Sequence, residues 1–187
     1  RPIDKALFGE PLDATESEMF KHLTGRSEPP VGRMREAWLA FGRRSGKDVK
    51  AASLAAYGAT IGGAELTKGA ARGERTYVML MALDRDQARV CLDYIREFFA
   101  LPVLAPFVTK ETAEGVILNN GITIEIFTND QRRSRGRRVG LAIFDEVARW
   151  NSDTSANPDE EVFGSVLPST ANVDGAMLIG ISSVHMR

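Results

Sequence analysis

The sequence is poor in the residues that build disulfide frameworks and metal clusters. Its single Cys91 excludes an internal disulfide framework and a cysteine metal cluster, and it favours a reducing, intracellular setting. The two histidines, His22 and His185, have no partner at the spacing of metal ligands, so both are interpreted as surface or structural residues. No apolar run approaches the roughly 20 residues that span a bilayer, and the first residues do not resemble a secretory signal. The sequence therefore predicts a soluble protein that is not bound to a membrane.

An excess of charge of either sign is also missing. The 187 residues include 24 Lys and Arg against 25 Asp and Glu, which gives a formal net charge of −1. This balance argues against a surface that is basic throughout, so any contact with DNA must come from a local patch. With 43% hydrophobic residues, the chain is long and apolar enough for one α/β domain with its own core.

The segment Gly42-Arg43-Arg44-Ser45-Gly46-Lys47-Asp48 is the first candidate for a binding site. An apolar run precedes it and an alanine-rich, helical segment follows it, which is the strand, loop and helix order of a phosphate-binding loop. In such a loop the backbone amides face an anion and Lys47 reaches the outer phosphates. The usual pattern places glycine where Phe41 stands and Ser or Thr where Asp48 stands. Taken alone, the segment fits equally well a basic turn between a strand and a helix.

A second motif comes later in the chain, at Val139–Glu146. This apolar run ends in two adjacent carboxylates, as does a buried strand whose carboxyl end points into the cleft of an open α/β sheet. Here Asp145 would hold Mg²⁺ through its water shell and Glu146 would polarise an attacking water. A buried strand that merely ends in an acidic turn is the alternative. The two motifs in this order favour a nucleotide-hydrolysing site.

Periodicity and turn residues predict strands that alternate with helices. We expect helices from about Thr15 to Leu23, from Asp48 to about Ile61, after Asp84 and over Asp159–Leu167, and strands at Glu36–Phe41, Thr76–Leu83 and Ala176–Ile181, with a β-hairpin at Val116–Leu118 and Ile122–Phe127. Residues 64–75 and the segment after Pro102 are predicted as connections. The alternation indicates an α/β fold with a mostly parallel central sheet flanked by helices. The phosphate loop and the acid-tipped strand, in this order, add the expectation that the fold is of the P-loop NTPase class (ASCE or RecA-like). Cys91 lies on the apolar stripe of its helix, so we expect a core residue rather than a reactive thiol.

The last predicted strand ends at Ser182-Ser183. Together with the phosphate loop and the Asp-Glu pair, this polar tip should lie along one edge of the sheet. Residues 1–30 are predicted as a polar arm that either lies on the surface or covers the nucleotide base, and residues 31–187 as the P-loop ATPase domain.

From about Leu23 onward the chain resembles the ATPase domain of tailed-phage terminase large subunits, the motors that package DNA into proheads. The resemblance rests on five segments in order: Gly42–Lys47, Ala82–Ala88, Ser134-Arg135-Gly136, Ile143–Ala148 with Trp150, and Ile179–Ser183.

This resemblance implies ATP and Mg²⁺ as cofactors and assigns roles to particular residues. Lys47 would bind the phosphates, Arg43 would act as a cis arginine of the loop, Asp145 would hold the metal and Glu146 would be the catalytic base. Arg135 would reach the site of a neighbouring subunit, and Ser182-Ser183 would form a coupling motif that relays the state of the γ-phosphate.

The resemblance also implies a cellular setting and a set of partners. It predicts double-stranded DNA, a homo-oligomeric ring, and the portal and small terminase subunits as partners, in the host-cell cytoplasm. A terminase would also carry a C-terminal nuclease domain of RNase H type, which we expect to be absent from this chain, so no residues are assigned to it.

Asp48 departs from the Ser or Thr of this family. Its carboxylate would either bind Mg²⁺ directly, the interpretation we favour, or repel the phosphates.

The arginine run Gln131–Arg138 likewise has three interpretations. It is a solvated loop, a contact for DNA phosphates, or, through Arg135, the source of an arginine for the transition state.

Two other functions remain open for the whole chain. They are a helicase-like P-loop ATPase of another system and a nucleotide-binding module without hydrolysis.

Overall fold

A computed structural model of the chain describes residues 2–128, 136–150 and 158–183. The helices within these residues are α1 (Pro2–Phe8), α2 (Ala14–Thr24), α3 (Lys47–Ala59), α4 (Gly63–Thr67), α5 (Arg85–Ala100) and α6 (Pro158–Thr170). The strands are β1 (Glu36–Phe41), β2 (Thr76–Ala82), β3 (Val108–Glu111), β4 (Gly115–Leu118), β5 (Ile122–Thr128), β6 (Arg138–Asp145) and β7 (Met177–Ser183). Short 3₁₀ turns lie at Ala105–Phe107 and Val147–Arg149. Among the described helices, none is long and apolar enough to cross a membrane.

The strands form a seven-stranded sheet in the order β1-β7-β6-β2-β5-β4-β3. The first five strands of this order, β1, β7, β6, β2 and β5, are parallel. Strand β4 runs antiparallel to β5, and β3 runs antiparallel to β4. The mostly parallel sheet is thus confirmed, as is the hairpin of β4 and β5. Because β7 lies between β1 and β6, the loop after β1 lies close to the carboxyl end of β6.

Helices cover the sheet on both faces. The core on one face joins the alanines of α3 and the apolar stripe of α5 to one set of strand residues, including Val78 and Leu80. The core on the other face joins α6 to the alternating set, including Met79 and Met81. Burial on both faces explains why β2 and β6 are apolar along almost their whole length.

The N-terminal arm contains two helices. The helix predicted near Thr15 is confirmed as α2: Asp13 caps it through a capping box with Glu16, and Gly25 ends it in the left-handed region at φ 67°. Helix α1 was not predicted, because its seven residues show no clear period and gain stability from packing. Its Leu7 is buried in the main core.

The arm also packs on the outside of α3. The Phe8 ring lies 4.5 Å from that of Tyr57, and Asp4 forms an ion pair with the buried Lys50. That this arm covers a nucleotide base stays a prediction.

Two segments expected to be connections contain regular structure. Helix α4 begins at Gly63 and covers the first residues of the predicted connection 64–75, where the fully buried Leu66 fixes it on the sheet. Strand β3 lies in the expected loop after Pro102 and pairs with β4 at the sheet edge. Both elements have at most five residues and depend on tertiary contacts, so no periodic pattern could have indicated them.

We expect Gly115→Ala to destabilise the hairpin. A Cβ atom at Gly115 would overlap the carbonyl oxygen of Ile124 on β5 and lie 3.0 Å from Cα of Glu125. Backbone cannot yield as a side chain can, so the free energy of unfolding should fall by about 1–3 kcal/mol in urea denaturation. The matched control is Gly164→Ala in α6, where a Cβ meets nothing within 4 Å. This change should be neutral or stabilise by up to ~1 kcal/mol, and equal losses in the two variants would contradict the hairpin geometry.

Candidate nucleotide site

Three polar segments meet at one edge of the sheet. Strands β1, β7 and β6 are adjacent, and the register pairs Phe41 with Ser183 and Asp145 with Ile181. The loop after β1, the end of β7 and the end of β6 therefore face the same space. Ligands of open α/β sheets bind in this position, at the carboxyl ends of the strands.

The loop between β1 and α3 is compact and begins a helix directly. The Ser45 N–H donates to the Gly42 carbonyl at 3.3 Å, and α3 begins at Lys47. Gly46 adopts the left-handed region at φ 79°, as does Arg44 at φ 60°, which costs about 1–2 kcal/mol for a residue with a side chain. No side chain caps the helix at Gly46, so the amides of its first turn are left for another acceptor.

This loop lines a cavity of about 650 Å³, a volume typical of small-molecule sites. All seven predicted loop residues contribute to its wall, together with three residues from the other two segments. The lining is Gly42, Arg43, Arg44, Ser45, Gly46, Lys47, Asp48, Glu146, Arg149 and Ser183. The cavity therefore joins the two motifs that the sequence analysis treated separately.

Lys47 is surrounded by carboxylates. Its Nζ lies 2.6 Å from Oδ1 of Asp48, 3.0 and 2.9 Å from the two carboxylate oxygens of Asp145, and 3.5 Å from Oε1 of Glu146. The side chain of Asp145 is 1% exposed and that of Lys47 is 17% exposed. One ammonium group thus shares its charge among three carboxylates in a partly desolvated site.

The pKa shifts follow from this sharing. Burial opposes protonation of Lys47, but its hydrogen bonds to Asp48 and Asp145 outweigh burial and raise its pKa. Burial raises the pKa of Asp145, and the contacts with Lys47 offset only part of this shift. Burial also acts on Glu146, where hydrogen bonds from Ser183 and the charge of Lys47 outweigh it and lower the pKa. Glu146 is therefore held ionised, whereas Asp145 is the carboxylate most in need of a cation.

The Ser182-Ser183 tip holds the carboxylate of Glu146. The Ser183 N–H donates to Oε2 at 3.2 Å and its hydroxyl donates to Oε1 at 3.1 Å, while the Ser182 hydroxyl donates to Oε2 at 3.3 Å. Glu146 itself has φ 52°, a strained conformation of the kind that concentrates at functional sites. The indole N–H of the buried Trp150 donates to the Asp145 carbonyl at 2.9 Å and so fixes the turn after β6.

Two residues next to the site were not predicted there. Arg149 lines the cavity. Its position three residues after Glu146 could have indicated that it lies near the site. Cys91 is fully buried in the core, as predicted, yet its sulfur and carboxylate oxygens of Asp48 and Asp145 lie within 4.8 Å of one another. Burial raises the pKa of Cys91 to about 12, so its thiol is neutral at physiological pH.

The arginine run is described only from Gly136 onward, so Arg135 lies outside the described residues, as does His185. The two described arginines of the run serve the fold. Arg137 pairs with Glu125 at 2.7 Å, and Arg138 donates to the carbonyls of Asn172 and Lys68. These two side chains are committed to intramolecular contacts.

The shared ammonium predicts a pH-dependent cost for removing Lys47. In Lys47→Met, ionised Asp145 loses its counter-charge, so the free energy of unfolding should fall by roughly 2 kcal/mol at about pH 7.5. Burial raises the pKa of Asp145 in the folded state, so its ionisation opposes folding and stability falls as pH rises through that pKa. At about pH 4.5 the loss should be smaller. Lys47 of the wild type is protonated at both pH values, whereas Asp145 carries less negative charge at the lower pH and so depends less on the ammonium.

The double variant Lys47→Met with Asp145→Asn is the matched control in the same denaturation series. Removing the buried charge should restore most of the stability at about pH 7.5. An equal loss at both pH values, or no recovery in the double variant, would contradict the charge sharing.

Comparison with known proteins gives no matching family model and no similar curated protein. Solved structures do match. The crystal structure of the HK97 bacteriophage large terminase is 20% identical, with a TM-score of 0.59 over 97% of this chain. The large terminase ATPase domain of Thermus phage P74-26 is 18% identical, with a TM-score of 0.55 over 91% of this chain. The N-terminal domain of the DNA packaging ATPase from bacteriophage phi29 is 12% identical, with a TM-score of 0.51 over 82%.

The chain spans only part of these proteins: 37% of the HK97 chain, 71% of the P74-26 domain and 75% of the phi29 domain. At these identities the likeness concerns the fold. The predicted fold class is confirmed: the chain has the α/β fold of the ATPase domains of phage large terminases.

Proposed function

We propose that this chain is an ATP-hydrolysing motor domain that drives double-stranded viral DNA into a prohead. The observation that carries the proposal is the contact of Lys47 with Asp145 and Glu146 beside one cavity, whose wall includes Lys47 and Glu146. A phosphate-binding loop and an acid-tipped strand at one sheet edge are the two parts that nucleotide hydrolysis requires. The likeness in fold to phage packaging ATPases supports DNA packaging as the use of that hydrolysis.

ATP binding is assigned to the loop residues Gly42, Arg43, Arg44, Ser45, Gly46, Lys47 and Asp48. The uncapped first turn of α3 presents backbone N–H groups to the phosphates, and the left-handed Gly46 keeps a side chain away from them. Lys47 would exchange its carboxylate contacts for phosphate oxygens. Arg43, which lines the cavity, would add a positive charge from the loop.

Mg²⁺ is assigned to Asp145 and Asp48. Carboxylate oxygens are the ligands this ion prefers, and the ammonium of Lys47 lies within hydrogen-bond distance of both groups, so the donor set suits a cation. When bound, Mg²⁺ neutralises the charge that develops on the transferred phosphoryl group. Asp48, where a hydroxyl is usual, would add a second carboxylate to this site.

Glu146 is assigned as the base that activates water. Its depressed pKa keeps it ionised, and Ser182 and Ser183 fix the direction of its carboxylate. The same hydrogen bonds give Ser182-Ser183 a route to relay the γ-phosphate state to β7. Arg135 of a neighbouring copy would complete the site.

The proposal extends to assembly and location. We expect a homo-oligomeric ring around double-stranded DNA, with the portal and the small terminase subunit as partners, in the host-cell cytoplasm. Residues 31–187 would form the ATPase domain, with residues 1–30 as an arm that covers the nucleotide.

A nucleotide-binding module without hydrolysis is the second candidate, and Asp48 favours it. Its carboxylate lies 2.6 Å from Lys47 Nζ, where it competes with phosphate for the ammonium. An anion beside a triphosphate is strongly unfavourable unless a cation lies between them. The Mg²⁺ dependence of binding separates the two candidates.

The test is the affinity for ATP by isothermal titration calorimetry, with and without Mg²⁺. We expect wild type to bind only with Mg²⁺, because the cation offsets the excess carboxylate charge. Lys47→Ala should lose binding by about 100-fold or more, as expected for a lost charge-assisted contact of at least ~2.7 kcal/mol. Lys110→Ala on the distant β3 is the matched control and should bind as wild type does.

Two outcomes decide between the candidates. If Asp48→Ser binds ATP with a weaker requirement for Mg²⁺, Asp48 acts as a metal ligand and hydrolysis is supported. If it binds ATP more tightly with an unchanged Mg²⁺ titration, Asp48 repels the phosphates and the non-hydrolysing module is favoured. Equal binding by wild type and Lys47→Ala would exclude the loop as a triphosphate site.

A further inference from the structure

Three potential metal ligands from three different elements converge next to Lys47. Asp48 comes from the first turn of α3, Cys91 from the inner face of α5, and Asp145 from the end of β6. One ligand atom from each lies within 4.8 Å of the other two. Cys91 is fully buried and Asp145 is 1% exposed, whereas the side chain of Asp48 is 39% exposed and lines the cavity, so the cluster reaches from the cavity wall into the core.

A cation already lies against this cluster. The ammonium of Lys47 is 2.6 Å from Asp48 and 2.9 Å from Asp145, so it stands where the two carboxylates require positive charge. These carboxylates outnumber the ammonium, and the burial of Asp145 makes its negative charge costly unless a cation balances it. The cluster therefore attracts a cation whether or not a phosphate is present.

Cys91 gives the cluster a chemical preference. Its buried thiol makes no hydrogen bond within the part of the chain that the structure describes, and its sulfur faces the two carboxylates. Mg²⁺ has little affinity for sulfur, whereas Zn²⁺, Co²⁺ and Cd²⁺ bind mixed sulfur and oxygen sites. A thiol among carboxylates thus favours Zn²⁺, Co²⁺ and Cd²⁺ over Mg²⁺.

We propose that Asp48, Cys91 and Asp145 form a binding site for a thiophilic divalent cation of the Zn²⁺ class, which competes with Lys47 for the two carboxylates. On binding, the thiol proton passes to solvent, the sulfur and one oxygen of each carboxylate bond to the metal, and the Lys47 ammonium withdraws. Ligand atoms on a tetrahedral zinc lie roughly 3.5 Å apart, and these three lie within 4.8 Å of one another, so the side chains need to approach by at most about 1 Å.

The proposed function gives this site its consequence. If the loop binds Mg²⁺ and ATP, a Zn²⁺-class ion takes the carboxylates that Mg²⁺ needs and inhibits nucleotide binding. Metal binding itself requires no nucleotide, so it can be tested separately.

The experiment is a Co²⁺ titration of the 187-residue chain, purified with its thiol reduced and without nucleotide. Co²⁺ is a spectroscopic substitute for Zn²⁺, and a cobalt–thiolate bond gives a near-ultraviolet charge-transfer band. Cys91 is the only cysteine in the chain, so a band reports this residue alone. We expect a band that saturates at one ion per chain and disappears on addition of Zn²⁺.

Variants separate ligation from a nonspecific effect. Cys91→Ser should lose the band and bind Co²⁺ at least about tenfold more weakly, and Asp48→Ser should weaken binding with the band retained at saturation. Lys47→Met should bind Co²⁺ more tightly, by about tenfold, because the competing ammonium is gone. Asp86→Asn, an exposed acid on the same helix as Cys91, is the matched control and should match wild type.

Saturable Co²⁺ binding without a charge-transfer band would overturn the proposal, as would the absence of binding to wild type. These measurements need only wild type, so they hold even if Cys91→Ser fails to fold. They also stay separate from ATP binding: a band with no ATP binding supports the metal site alone, and ATP binding with no band supports the nucleotide site alone.

Discussion

The sharing of one ammonium among three carboxylates is the interaction on which the site depends. Lys47 stands at the first residue of α3 and joins the loop after β1 to the end of β6. It balances Asp145, a carboxylate that burial would otherwise disfavour in its ionised form. Any anion that binds the loop must compete for the same ammonium, and any cation that binds the carboxylates must displace it. Binding of an anion and binding of a cation at this site would therefore be coupled through a single side chain.

The order of the strands creates this coupling. Strand β7 lies between β1 and β6, so its serine tip reaches Glu146 while the loop after β1 reaches Asp145 across it. A change in the contacts of Lys47 alters the charge next to Glu146, and Glu146 is bonded to both serines of β7. The site thus connects the loop after β1 to the central sheet by hydrogen bonds that span three adjacent strands.

The sequence predicted the parts of the site that local motifs and chain topology specify. Each of the three polar segments stands at the carboxyl end of a strand: the loop after β1, the acidic pair at the end of β6 and the two serines at the end of β7. The carboxyl ends of parallel strands meet at one edge of the sheet, so the convergence of these segments could be expected. The position of Cys91 next to the site could not be predicted, because helical periodicity indicates that a residue is buried but not which strand end it faces. Helix α1 and strand β3 were missed for a related reason, since both are short and depend on tertiary packing.

The most direct test of the account is a crystal structure of the protein with Mg²⁺ and a non-hydrolysable ATP analogue. The account predicts that Nζ of Lys47 moves to within about 3 Å of a phosphate oxygen and leaves Asp145, whose carboxylate then faces the metal. An analogue bound outside the cavity of the loop, or bound within it while Lys47 keeps its contacts with Asp48 and Asp145, would contradict the claim that this ammonium couples the phosphates to the metal.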